Sequence, residues 1–123
     1  MSGAAITLAG VPIHACAPDG PKLDGERAAT DIIGEMFGSG AQLAAIPVGR
    51  LGEGFLTLGT RVAGGVVQKF VNYGVRVAFV GDISEAVARS DALRDFVRES
   101  NRGPHVWFVA DLAELEAKLA VQA

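Results

Sequence analysis

The chain has 123 residues, half of them apolar and a fifth charged, with a formal net charge of −3 and a pI near 5.3. That length suits one domain, residues 1–123, built on one core, and a mildly acidic balance supplies no basic field for nucleic acid or anionic lipid. Cys16 is the only cysteine, which excludes an internal disulfide and a cysteine-based zinc site.

Residues 5–16 alternate like strands, with Ile6, Leu8, Val11 and Ile13 on one face across an Ala9-Gly10 break, which predicts a hairpin. Pro12 lacks an amide hydrogen and places the second strand at a sheet edge or in a bulge. After Pro18-Asp19-Gly20-Pro21, the helical spacing of Ala28, Ile32, Ile33, Met36 and Phe37 predicts a helix capped by Asp24 and ended by Gly38-Ser39-Gly40. Residues 43–48 read as a buried strand, followed by a glycine-rich loop at 49–54.

From about residue 55 to 73, Leu58, Val62, Val66 and Phe70 form one stripe of a helix that Gly74 closes. Residues 75–80 form the next strand. Residues 84–89 read as a loop or a loose turn of helix, and Ser90 caps a helix that turns Leu93, Phe96 and Val97 inward. Residues 106–109 form the last strand, and Asp111 caps a final helix with Leu112, Leu115 and Leu119 on one side. The expected fold is α/β, a mixed, mostly parallel five-stranded sheet with four helices in the order β-β-α-β-α-β-α-β-α.

No segment has the apolar length of a membrane span and no signal peptide opens the chain, so a cytoplasmic location is expected. The loop at 49–54 has neither dinucleotide-binding nor P-loop spacing. No serine sits in a nucleophile elbow, and His14 and His105 lack metal-ligand spacing, so neither metal nor cofactor is called for. His14 and Cys16 share a strand face about 7 Å apart, too far for a direct thiol–imidazole bond.

Two candidate sites remain. One is a polar stripe on the helix at 57–73, Arg61, Gly65, Gln68, Lys69 and Asn72. There Gly64 and Gly65 each cost about 1 kcal/mol against alanine, which close approach of another backbone, a partner or a ligand would offset. The other lies beyond the carboxyl ends of the strands, where open α/β sheets bind ligands, with Asp82, Ser84, Arg94 and Asn101. Asp82 and Asp111 are the carboxylates placed to face each other there, although helix caps and turns use aspartate for plainer reasons. The face carrying Arg94, Asp95, Arg98, Glu99 and Arg102 is mixed in sign and reads as solvated, with local ion pairs.

Three segments, 63–73, 77–84 and 90–103, resemble a bacterial family of uncharacterised small proteins, domain of unknown function family 4180, over most of the chain. Where that family tends to carry an acidic residue and paired phenylalanines before the second helix, this chain has Glu53-Gly54-Phe55-Leu56. The element order is also similar to the STAS domain of anti-sigma factor antagonists. That resemblance implies a non-enzymatic regulatory module that meets a protein partner through the loop at 50–60 and the adjoining polar stripe. In the STAS family the loop before the second helix carries a phosphorylated serine; here residues 52–60 contain no serine, and Thr57 and Thr60 are the only hydroxyls at which such a switch can be proposed. The alternatives are a small-molecule site, catalytic or not, at the strand ends, and a structural homo-oligomer such as a dimer.

Overall fold

The computed structural model describes residues 3–57, 59 and 61–122. Five strands, β1 (Gly3–Leu8), β2 (Val11–Cys16), β3 (Leu43–Pro47), β4 (Arg76–Val80) and β5 (Val106–Val109), form one sheet in the order β1-β2-β3-β4-β5. The first pair is antiparallel and the other three are parallel. Ala9 and Gly10 both adopt positive φ, 50° and 79°, as a two-residue turn between twisted strands requires.

Pro12 is a correction to the expected edge or bulge. The strand β2 lies inside the sheet, and its register with β1 runs unbroken from Leu8↔Val11 to Gly3↔Cys16. Within a strand, a residue's N–H and C=O point to the same side. The Pro12 carbonyl accepts from the Gln42 amide at 2.9 Å, and pairing with β3 begins only at Ile13↔Leu43. The missing amide hydrogen therefore points at the loop ahead of β3, and no ladder bond is lost.

Among the described residues there are six helices: α1 (Glu26–Met36), α2 (Glu53–Leu56), α3 (Val62–Asn72), α4 (Ser84–Arg89), α5 (Asp91–Arg102) and α6 (Leu112–Gln122). Two more than the sequence pattern predicts arise in two ways. Residues 84–89 close into a helix, and the long helix expected from about residue 55 to 73 is divided. Thr57 is extended and Arg61 stands at a left-handed φ of 66°, so α3 begins only at Val62. Asp24 does not cap α1, whose N-cap is Gly25 with no side-chain bond. Ser90 does cap α5, its Oγ accepting from the Leu93 amide at 3.1 Å, and Asp111 accepts from the Glu114 amide at 2.8 Å. Past α3, the Gly74 amide reaches the Val71 carbonyl and the Val75 amide reaches Phe70, a Schellman closure that needs the positive φ of Gly74.

Because the parallel strands follow one another without reversal, right-handed crossovers lay their connecting helices on one face. There Ile32, Ile33 and Met36 of α1 and Ala63, Val66 and Phe70 of α3 pack with Ala44, Ile46, Val77 and Phe79. Phe55, Phe79, Phe108 and Phe96 continue this core as a run of ring contacts, with centroids 5.1, 4.9 and 6.0 Å apart, and Phe55 thereby holds the four-residue α2 on the sheet. The opposite face is left to α6, where Leu115 and Leu119 meet Ile13, Leu43, Ala45, Ala78, Trp107 and Val109. Phe37 and Leu112, expected on the buried stripes, are instead exposed. Phe37 is the C-cap of α1 with extended backbone, which swings it off the stripe, and Leu112 is the first residue of α6, one turn ahead of Leu115.

Candidate functional site

The polar stripe faces outward on α3. Gln68 Nε2 donates to Asn72 Oδ1 at 2.8 Å, and Lys69 Nζ lies 3.6 Å from Glu26 Oε1 on α1. Gly65 is where the two helices approach, since a Cβ there would stand 3.2 Å from Glu26 Cγ. Glu26, Gly65, Gln68, Lys69 and Asn72 thus surround one depression of about 70 Å³, room for little more than water. Gly64, next to it, faces open space. Arg61 is exposed at the N-cap of α3, one step outside the helix on which the stripe pattern placed it.

The helices α1 and α3 pack side by side. Each runs back from the carboxyl end of one strand to the amino end of the next, so their C-termini reach the same rim of the sheet. At that rim Phe37 is 73% and Tyr73 53% exposed, with Val71 also exposed on the last turn of α3. Tyr73 and Val71, left in water beside the Gln68–Asn72 pair, have the composition of a contact surface, while Phe37 is exposed at the opposite end of α1 from Glu26.

At the carboxyl ends the predicted residues are divided between different places. Asp82 and Ser84 line a depression of about 270 Å³ with Ile83, Val87, Val97 and Phe108. Asp82 is fully exposed, and its Oδ1 accepts from the Ser84 amide at 2.9 Å, which with the Ser84 hydroxyl holds its carboxyl below the usual range. It stays a carboxylate at neutral pH and opens α4. Arg94 pairs with Asp91 at 3.3 Å on the solvated side of α5, beside the Asp95–Arg98 and Glu99–Arg102 pairs.

Asn101 sits at the other end of α5, where its Oδ1 accepts from the Phe108 amide at 2.7 Å. The neighbouring Gly103 carbonyl accepts from the Trp107 indole at 2.7 Å. Both contacts fasten α5 to β5. A larger groove, about 530 Å³, runs between α2 and the α4–α5 junction, lined by Glu53, Leu56, Thr57, Ala86, Arg89 and Ser90. Thr57 is exposed on it; Thr60 lies outside the described residues. The strand order never reverses among the parallel strands, so the sheet has no switch-point crevice of the kind that cradles nucleotides.

Arg50 is the residue that sequence reasoning missed. The expected loop after β3 is a turn of 3₁₀ helix that folds this side chain inward, leaving it 3% exposed. Its guanidinium donates to the carbonyls of Pro21, at 2.7 Å, and Ala17, at 3.1 Å, with Gly20 packed against it. The Pro18–Pro21 turn is thereby tied to the end of β3. His14 stands 3.2 Å from Glu35, and His105 meets the Phe70 carbonyl at 3.5 Å. Among the described residues no three of His, Cys, Asp and Glu gather as a metal site, and no helix is long and apolar enough to cross a membrane.

A model of the family described as Domain of unknown function (DUF4180) matches residues 8–119. The chain belongs to this family. No curated protein and no solved structure matches it. The matched range takes in every element of this DUF4180 chain except most of β1 and the end of α6.

Proposed function

We propose that this DUF4180 chain is a recognition module that meets a protein partner through the outer face of α3 and the rim where α1 and α3 end. The observation that carries this is the exposure of Tyr73 and Val71 beside the Gln68–Asn72 pair, with Phe37 exposed at the end of the neighbouring α1. Exposed aromatics flanked by polar groups are the side chains that become binding hot spots. The STAS-like element order supports a regulatory reading, in which Thr57, exposed ahead of α3, is the residue that would be phosphorylated. Affinity capture followed by calorimetry tests the surface. Tyr73→Ala and Phe37→Ser are expected to weaken the captured partner at least tenfold, with Arg94→Ala as the unaffected control. A partner whose affinity survives both changes overturns the assignment.

A second reading, a small-molecule site, is favoured by one feature, the groove between α2 and the α4–α5 junction, which has the size of ordinary ligand pockets. A metabolite that raises the melting temperature through mass action, and loses that effect in Arg89→Ala, would support it. The same shift in wild type and variant would place the ligand elsewhere.

A further inference from the structure

The two edges of the sheet are built differently. On β5, the residues whose backbone points away from β4 include Phe108 and Ala110. Asn101 accepts from the first of these amides and the Glu114 carboxylate from the second. That edge is plugged by side chains.

The other edge is β1, with the sequence Gly-Ala-Ala-Ile-Thr-Leu. It contains no charge, no proline and no bulge, the devices by which edge strands avoid pairing. Its outward groups follow from the hairpin. Residues flanking a two-residue turn exchange both hydrogen bonds, so Leu8, Ile6 and Ala4 face β2, while Gly3, Ala5 and Thr7 present N–H and C=O outward. The Thr7↔Pro12 pair agrees, since proline requires a position with no bond to β1. Ala4, Ala5 and Thr7 are exposed, and among the described residues no protein group meets the outward backbone of Ala5 or Thr7.

We propose that β1 is the seam at which two copies of this chain join, antiparallel about a two-fold axis through Ala5, into one ten-stranded sheet. The strand is small at its start and bulky at its end. Antiparallel self-pairing about Ala5 therefore sets Thr7 opposite Gly3 and Ile6 opposite Ala4 of the other copy, whereas parallel in-register pairing would crowd like against like. Two-fold symmetry brings any central residue against itself, and β1 has no charge there to repel its mate. Outward amides and carbonyls at Ala5 and Thr7 each gain a partner in this register, and a closed dimer consumes the edge that would otherwise recruit further strands.

Light scattering and sedimentation on the full chain test the seam. The wild type is expected to be a dimer at tens of micromolar. Ala5→Lys, which sets like charges on the axis at an exposed position, is expected to be monomeric with an unchanged circular dichroism spectrum. Ala5→Pro, which removes only an outward amide, should do the same. Register is read by oxidation, with Ala5→Cys crosslinking to a covalent dimer and Thr7→Cys not doing so. A monomeric wild type, a dimer that persists in Ala5→Lys, or crosslinking through position 7 instead of 5 overturns the proposal. None of these outcomes depends on whether a partner binds at Tyr73.

Discussion

Cys16 shows how much a single buried group changes what the chain does with pH. It is 5% exposed on the α1 side of β2, and burial pushes its thiol up to about 11, against a pull downward from Arg50 and a further push from Glu35. An unfolded thiol loses its proton near pH 8.5. Between that value and about 11 the native state keeps a proton that the unfolded chain has released, so stability is full below pH 8.5 and falls as pH rises through 11. That gap of about 2.5 corresponds to about 3 kcal/mol. Urea midpoints measured from pH 8 to 11 are expected to fall accordingly and to flatten over that range in Cys16→Ala. An equal slope in the variant would assign the loss to other groups. The sequence was enough to place the cysteine on a strand and out of reach of His14. The role of Arg50 was not legible there, because its acceptors, the carbonyls of Ala17 and Pro21, lie about thirty residues earlier and leave no local pattern.

Elements were legible where the local code and the tertiary contacts agree. Alternation on both sides of Ala9-Gly10 marks the hairpin, and Ser90, Asp111 and Gly74 mark helix ends because each satisfies a backbone group that the sequence itself leaves open. The division between α2 and α3 was hidden because Leu58 and Val62 keep helical spacing across it, and arginine gives no warning of the left-handed conformation Arg61 adopts. The adjacent glycines of α3 separate two explanations that composition could not. At Gly64 a methyl group enters open space, whereas at Gly65 it meets Glu26 at 3.2 Å, although that side chain can shift. Gly64→Ala is expected to stabilise by about 0.5–1 kcal/mol. Gly65→Ala should gain less, since it displaces Glu26 from its contact with Lys69. Urea unfolding at constant m value checks the order, and a larger gain at Gly65 would show that the α1–α3 approach is not close enough to matter.

Across the whole molecule, the monotonic strand order decides both where the helices lie and how many edges the sheet must manage. Sequence pattern gave the strands and their parallel sense, but the candidate residue Asn101 acquired its role only from the fold, because β5 ends the sheet and its outward amides need acceptors. Asn101→Ala removes the acceptor from the Phe108 amide, which is buried, and leaving a buried donor unpaired costs about 1–3 kcal/mol. Asn101→Asp keeps an oxygen there and should retain most of the stability. Glu114→Ala, at an exposed position, should cost less by itself. Combined with Asn101→Ala it opens the second edge, and a sheet with two open edges grows without closing. The double variant is therefore expected to form species larger than a dimer whose size rises with concentration in light scattering. Adding Ala5→Lys should cap that growth. If the double variant keeps the wild-type size at every concentration, the Asn101 and Glu114 contacts serve the packing of α5 and α6 alone and do not guard the edge.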